Sequence, residues 1–203
     1  MPVARRRAAP RRRAAPRRRP PGALQLGPRT LLRHPRPDDE AGFLAAARAS
    51  RALHRGLASP PITPPQFARW LARAREPNQE IHLVCRREDG ALCGVMNLTE
   101  IVRGPLQSAY LGYYAFAPRA GQGYMREGMQ LVLAQAFGPL GLHRVEANIQ
   151  PDNAASLALA LRSGFRLEGY SPRYLKIAGR WRDHLRLALC AEDWRAAGRR
   201  RGG

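Results

Sequence analysis

Two glycines, Gly121 and Gly123, stand between an apolar run and a helical pattern, and their surroundings suggest binding chemistry. The run over 110–116 is aromatic and apolar, as in a buried strand, and after the glycines apolar residues recur at spacings of three and four. A helix that begins at a glycine turn offers unpaired backbone N–H groups to an anion, and glycine lets a phosphate approach closely. Arg119 and Arg126 add positive charge. We therefore predict an anion-binding turn, with a plain strand-to-helix connection as the alternative.

This turn matches neither of the two common nucleotide-binding fingerprints. It lacks the Gly-Lys-Ser/Thr ending of a P-loop, and it has one glycine fewer than the Rossmann pattern. The turn alone therefore favours an anion without specifying which one.

Length and composition indicate one domain with a tail. The chain has 203 residues, of which 44% are hydrophobic. No apolar run approaches the roughly 18 residues that span a bilayer, and no apolar segment of a signal peptide follows the basic N-terminus, so no membrane partner is expected. Cys85, Cys93 and Cys190 lack metal-binding spacing. We expect buried free thiols in a reducing cytoplasm, and no metal site.

The net charge of +20 is concentrated at the N-terminus, because residues 1–22 contain nine arginines and no acid. These arginines stand in proline-interrupted near-repeats, a composition typical of disorder. Such a tail could hold RNA or ribosomal phosphates through counterion release. A solvated extension and a misassigned start codon are the alternatives. A smaller basic run, 199–201, stands near the other end.

The rest of the chain alternates between strand and helix patterns. Helix starts, marked by capping residues, proline or acids ahead of an apolar stripe, are predicted at Pro37, Thr63, Tyr124 and Asn153. Predicted strands are 30–34, 80–87, 92–102, the run beginning at 110, 144–149, 165–177 and 182–190. This order predicts a mixed α/β sheet with helices on both faces.

The order of elements, with the glycine turn after the fourth strand, resembles the GCN5-related N-acetyltransferases (GNAT). The RimJ/RimL-type branch, which acetylates ribosomal-protein N-termini, is the most similar. The matching motifs are Leu111-Gly112-Tyr113, Gly121-Gln-Gly-Tyr-Met125, His143–Asn148, Asn153–Ser156, Ser163–Phe165, Glu168–Tyr170 and Gly179–His184. The resemblance implies a GNAT fold over 29–195, with a mostly antiparallel sheet of about seven strands. A disordered Arg/Ala/Pro-rich tail and linker over 1–28 and a basic tail over 196–203 would flank it.

The resemblance also implies acetyl-CoA as co-substrate, with its pyrophosphate on the backbone of the glycine turn. Ala120 departs from the polar residue usual there, and Met125 stands where a small residue is commoner. The strand before the turn would offer backbone bonds to the pantetheine arm and the acetyl carbonyl. The predicted cofactor-binding residues are Tyr113, Tyr114, Ala115, Gly121, Gln122, Gly123, Tyr124, Met125, Arg126 and Asn153.

Two residues are candidates for proton transfer. Ser156 would protonate the departing thiolate, or else serve as a second capping group beside Asn153. Glu100 is the candidate general base for the amine, because strand alternation gives this acid the same face as Met96 and Leu98. The alternative is that Glu100 meets solvent at a frayed strand end.

The sequence therefore predicts an enzyme that moves acetyl from acetyl-CoA to a primary amine, first of all the N-terminal α-amine of a ribosomal protein. A small amine, such as an antibiotic or a polyamine, is the alternative acceptor. A ribosome- or RNA-binding protein with a vestigial acetyl-CoA site is a third reading. The oligomeric state stays open between monomer and homodimer.

Overall fold

An eight-stranded sheet organises the residues that the computed structural model describes, 20–202. The strands are β1 (Ala23–Leu26), β2 (Thr30–Arg33), β3 (Glu80–Arg86), β4 (Leu92–Val102), β5 (Ser108–Ala115), β6 (Arg144–Ile149), β7 (Arg166–Ile177) and β8 (Arg180–Cys190). They lie in the order β1-β2-β3-β4-β5-β6-β8-β7. All neighbours are antiparallel except β5 and β6, which are parallel. The predicted mixed, mostly antiparallel sheet is confirmed.

Helices cover both faces of the sheet. They are α1 (Glu40–Ala49), α2 (Arg51–His54), α3 (Pro64–Arg73), α4 (Tyr124–Phe137), α5 (Ala154–Arg162) and α6 (Ala191–Gly202). Among the described residues, none of them has both the length and the apolar character to cross a membrane.

Strand alternation divides the apolar side chains between two cores. On β4, Val95 enters the core that α1 and α3 cover, whereas Met96 enters the core beneath α4. Phe43 of α1 lies at the centre of the first of these, with its ring centre 5.3 Å from that of Phe67 and 5.4 Å from that of Phe116. The sheet is therefore the middle of three layers, and packing on both of its faces fixes the position of β5.

Two predicted segment boundaries are wrong. The predicted linker contains β1, which pairs with β2 across the Gly27 turn and buries Ala23, so the domain begins before residue 29. The sequence signal was weak because a strand of four residues shows too little alternation. At the other end α6 runs through the predicted tail, with Glu192 and Asp193 in its first turn, where the helix dipole favours acids. Residues 1–19 of the predicted N-terminal tail lie outside the described residues.

The parallel pair β5 and β6 separates soon after it begins. The two strands pair only from Ser108 to Tyr110 on β5. Beyond that point β5 continues to Ala115 and stays paired with β4 alone. The edge of β5 that faces β6 therefore borders an open crevice at the ends of the strands, which is where open α/β sheets bind ligands.

Glu127 fixes the helix that borders this crevice. It lies in the first turn of α4 and accepts hydrogen bonds from the backbone N–H groups of Arg29 and Thr30, at 2.7 and 2.8 Å. The Thr30 hydroxyl donates to the same oxygen at 2.8 Å. A Cβ on Gly27 would lie 2.4 Å from Glu127 Oε1, so the β1–β2 turn needs a glycine here. The start of α4 is thereby joined to the β1–β2 hairpin.

These hydrogen bonds predict a pH-dependent contribution to stability. Burial raises the pKa of Glu127, but the donors from Arg29 and Thr30 outweigh it, and the net shift is downward. Glu127→Ala leaves those donors without their acceptor, so it should lower the free energy of unfolding by about 2 kcal/mol near pH 7. Because the folded-state pKa is depressed, the contribution is present above the unfolded pKa of about 4.3 and is lost as pH falls through the folded pKa.

Urea unfolding of wild type and variant between pH 3 and 7 measures this difference. Glu88→Ala is the matched control, because the Glu88 side chain is 79% exposed and its stability effect should be near zero. Equal unfolding free energies for wild type and Glu127→Ala at pH 7 would contradict the assigned role.

Candidate active site

A cavity of about 520 Å³ occupies the crevice beside β5. Its lining comes from α2, the end of β5, the glycine turn with the start of α4, and α5. The predicted residues that it brings together are Tyr113, Tyr114, Ala115, Gly121, Gly123, Tyr124, Met125, Arg126, Asn153 and Ser156. Gln122 is not part of the lining, and its side chain donates instead to the Pro118 carbonyl at 3.2 Å.

The glycine turn has a backbone conformation that suits anion binding. Gly121 and Gly123 have φ angles of 74° and 81°, in the left-handed region that side chains disfavour. Gly123 is the N-cap of α4, so the N–H groups of the first turn have no partner within the helix. Together with the helix dipole, these groups form a cradle for a phosphate at the cavity wall.

Positive side chains reinforce the cradle. Arg119, Arg126 and Arg162 line the cavity, and no acid is among its lining residues. Arg29 also lies beside Gly123, with its guanidinium 4.8 Å from the centre of the Tyr124 ring, but it forms a salt bridge with Glu127 at 3.4 Å. The contribution of Arg162 was missed, because a lone arginine in the last turn of α5 has no distinctive spacing in the sequence. The electrostatics favour a ligand with several negative charges.

Three side chains meet across the crevice at the start of α5. Asn153 caps the helix through its Oδ1 atom, which accepts from the Ser156 N–H at 3.2 Å. The Ser156 Oγ donates to the Tyr113 hydroxyl at 2.8 Å, and that hydroxyl donates to the Ser156 carbonyl at 3.1 Å. Burial raises the pKa of Tyr113 to about 12, so the phenol keeps its proton at neutral pH. The sequence analysis assigned Tyr113 only a backbone role and missed this hydroxyl pair.

His54 is a second residue that the sequence analysis missed. It ends α2, is buried, and donates from Nε2 to the Ala115 carbonyl at 2.8 Å. This bond leaves the lone pair on Nδ1, which has no hydrogen-bond partner among the described residues. The ring packs edge-on against Tyr114, with the ring centres 5.3 Å apart. A residue of the cavity wall beside the end of β5 therefore has a buried ring nitrogen without a hydrogen-bond partner among the described residues.

Glu100, the predicted general base, does not line this cavity. It lies at an irregularity of the β4–β5 pairing between Thr99 and Val102, with φ at 50°, and it is exposed. The irregularity shifts the alternation, so that Ile101 rather than Glu100 follows Leu98 into the core. The prediction that Glu100 shares a strand face with Met96 and Leu98 is therefore wrong, and the Glu100 side chain is exposed to solvent.

A second cavity, of about 570 Å³, adjoins the first and shares His54 and Ala58 with it. It lies between the ends of α1 and α2, the loop over 58–62, and α3. Its cationic lining residues are Arg51, Arg55, Arg69 and Arg73, and no acid lines it. None of these four arginines forms a salt bridge within the described part of the chain. We call this the arginine-lined cavity.

Two acids outside the cavities have partners within the sheet. Arg144 donates to both carboxylate oxygens of Glu168. Asp183 accepts from the Tyr170 hydroxyl and the Arg173 backbone N–H.

A glycine turn at a helix start, beside two diverging parallel strands, is an arrangement that suits an elongated, phosphate-bearing ligand. The Acetyltransferase (GNAT) domain family matches residues 29–166, and the chain belongs to this family. Acetyl-CoA is the co-substrate of the family. The resemblance inferred from the motifs is therefore confirmed.

Curated relatives and a solved structure extend the comparison. The chain is 38% identical over 119 residues to YjcK of Bacillus subtilis, named a probable N-acetyltransferase, with 58% of this chain and 66% of the relative covered. It is 37% identical over 107 residues to the [ribosomal protein uS5]-alanine N-acetyltransferase of Escherichia coli, covering 53% of this chain and 55% of the relative. The matched segments thus span less than two thirds of these relatives.

Among solved structures, Mycobacterium smegmatis RimJ in complex with CoA-disulfide superposes with a TM-score of 0.72 at 28% identity. The superposition covers 84% of this chain and 90% of that one.

The glycine cradle yields a prediction about acetyl-CoA affinity. Gly123→Val places a side chain at a φ of 81°, with its Cβ 3.1 Å from Arg29 Nη2, where the phosphate would approach. Acetyl-CoA binding measured by calorimetry should weaken more than tenfold, or about 1.4 kcal/mol. Gly90→Val is the matched control, because Gly90 has a φ of 75° and open space around it, away from the cavity. If the Gly123→Val variant folded and bound acetyl-CoA with wild-type affinity, the glycine turn would not be the phosphate-binding site.

Proposed function

We propose that this chain transfers acetyl from acetyl-CoA to the N-terminal α-amine of a protein, with a ribosomal protein as the first acceptor to test. One observation supports the proposal most directly: the cavity beside β5 and the arginine-lined cavity meet at a buried histidine, His54. The similarity to a uS5-alanine N-acetyltransferase and to RimJ supports the class of acceptor.

In this proposal the cofactor lies along the crevice. Its pyrophosphate rests on the backbone of 121–125, and Arg119 and Arg126 neutralise the phosphates. The pantetheine arm follows 113–115, where β5 has lost β6 as a neighbour, and its backbone partners there exclude the Ala115 carbonyl, which accepts from His54. A backbone N–H of this segment stabilises the oxyanion that forms when the amine attacks the acetyl carbon.

The leaving thiolate needs a proton, and the Tyr113–Ser156 pair is the proposed source. Collapse of the tetrahedral intermediate breaks the carbon–sulfur bond and leaves the electron pair on sulfur. Because burial raises its pKa to about 12, the Tyr113 phenol is protonated at neutral pH, and in this proposal its O–H turns from the Ser156 carbonyl to the thiolate. The Ser156 hydroxyl, 2.8 Å away, holds the phenol in place. Relatives often take this tyrosine from the helix after Asn153, whereas here β5 supplies one.

The attacking amine must lose a proton, because an ammonium has no lone pair. Among the described residues no carboxylate lines the cofactor cavity, and His54, which lines both cavities, has a buried Nδ1 without a hydrogen-bond partner. The Ala115 carbonyl, 2.8 Å from Nε2, fixes the tautomer that leaves Nδ1 free. We assign His54 the role of proton acceptor, directly or through one water.

The charge of the arginine-lined cavity favours one acceptor class over another. Four arginines without a lining acid attract a peptide with acidic side chains near its N-terminus. The same field repels a polyamine, which carries several positive charges. The cavity therefore supports a protein N-terminus over the small-amine alternative.

His54→Gln tests the assigned proton acceptor. Glutamine can keep the hydrogen bond to Ala115 while it removes the basic nitrogen, so acetyl-CoA affinity should hold. Turnover at pH 7 should fall on the order of a hundredfold, and the deficit should shrink as pH rises and more of the amine is free. Glu100→Gln is the control and should stay within a few-fold of wild type, because Glu100 lies outside the cofactor cavity. If Glu100→Gln lowered turnover about a hundredfold and His54→Gln stayed within a few-fold of wild type, Glu100 would be the proton acceptor instead.

Thiol release from acetyl-CoA against a panel of acceptors tests the acceptor class. Peptides that begin with alanine and carry glutamate after it should exceed their lysine analogues at least tenfold in kcat/KM, less so in high salt. Arg69→Glu with Arg73→Glu should reduce that preference. Arg75→Glu should leave that preference unchanged, because Arg75 is exposed and lies outside the cavity. If spermidine were acetylated faster than every peptide, the result would favour the small-amine acceptor instead.

A further inference from the structure

Three residues with metal-binding side chains meet where β2 ends and β3 begins, away from both cavities. His34 follows β2, Glu80 opens β3, and His82 comes two residues later. One ligand atom from each lies within 4.8 Å of the other two. Glu80 Oε2 is 3.2 Å from His82 Nε2 and 3.7 Å from His34 Nε2. Three potential ligands from two strands therefore converge on one point.

Hydrogen bonding within the described residues does not satisfy this cluster. The His82 side chain is fully buried, and among the described residues neither ring nitrogen has a well-aligned hydrogen bond, although the Glu80 carboxylate and the Met96 backbone lie nearby. Glu80 Oε2 is buried and unpaired as well, because its short contact with His82 lacks hydrogen-bond alignment. Each buried polar group without a partner lowers the free energy of unfolding by about 1–3 kcal/mol. A position for a bound ligand is one of the few arrangements that explain several such groups in one place.

The orientation of the His34 ring also supports a ligand-binding position beside Glu80. Its Nδ1 donates to the Ile81 carbonyl at 3.2 Å, which leaves the lone pair on Nε2, the atom nearer Glu80. A backbone carbonyl on the far nitrogen is the usual support of a metal-bound imidazole. The ring centres of His34 and His82 are 5.3 Å apart, close to the roughly 5 Å expected for two imidazoles on one ion. The rings are stacked at 23°, so the exposed His34 ring has to turn before both nitrogens can bind the same ion.

We propose that His34, Glu80 and His82 bind one zinc-class transition-metal ion, with water in the fourth position on the exposed side of His34. Two imidazoles and one carboxylate suit Zn²⁺, whereas Mg²⁺ and Ca²⁺ prefer oxygen ligands. The sequence analysis predicted no metal site, because residues 34, 80 and 82 lack a recognisable ligand spacing.

The ion would act as a structural clamp. Neither cavity includes any of the three ligands in its lining, so the metal does not touch the cofactor or the acceptor. The chain leaves the sheet at His34 and returns at Glu80, and the segment between them carries α1, α2 and α3. These helices build the arginine-lined cavity and hold His54. A clamp at both ends of the segment stabilises the folded state and thereby the acceptor side of the enzyme.

Zinc titration of the untagged, chelator-treated full-length chain tests the proposal. Calorimetry should give one Zn²⁺ per chain, and Tm should rise with zinc concentration. His34→Ala should weaken binding at least tenfold and abolish the Tm rise, without opening the core, because the His34 side chain is 48% exposed. Glu80→Gln, which keeps the size and removes the charge, should also weaken binding.

His143→Ala is the matched control, with a side chain that is 54% exposed and 3.2 Å from a carboxylate, that of Glu192. It should keep wild-type zinc affinity. Zinc binding that is unchanged in His34→Ala, or a wild-type Tm that zinc does not raise, would overturn the proposal. Mg²⁺ binding as tight as Zn²⁺ would overturn the assigned metal class.

Discussion

The separation of β5 from β6 is the constraint on which the site depends. The strands pair only as far as Tyr110, after which β5 keeps one neighbour. Backbone groups buried without partners are unfavourable, so an extended ligand that can hydrogen-bond to the free edge is stabilised there. The three-layer packing holds this edge in place, because β4 and β5 contribute side chains to cores on both faces. The crevice is thus a property of the whole sheet rather than of a flexible loop.

The rest of the site is held by contacts between distant parts of the chain. Glu127 joins the start of α4 to the β1–β2 hairpin, and so fixes the glycine turn relative to the sheet edge. His54 joins α2 to the Ala115 carbonyl, and so fixes the helical segment relative to the same edge. The cofactor side and the acceptor side are therefore positioned against one strand, β5, which allows an amine and an acetyl group to meet in a defined geometry.

Local patterns predicted seven of the eight strands and the glycine turn, because periodicity and turn chemistry extend over few residues. The family resemblance supplied the other predicted cofactor residues. The residues that were missed act over long separations. Glu127 bonds to Arg29 across 98 positions, and His54 to Ala115 across 61, and no local pattern records such a pairing. The error at Glu100 has another cause, since a positive φ at a residue other than glycine is not signalled by its type.

Hydrogen–deuterium exchange with and without CoA tests most directly whether the free edge of β5 and the glycine turn form the cofactor site. The account predicts slower exchange over 111–126 and the first turn of α5 in saturating CoA. Exchange in the β7–β8 hairpin, which lies at the far edge of the sheet, should stay unchanged. Protection confined to other segments, or none over 111–126 at saturation, would contradict the account.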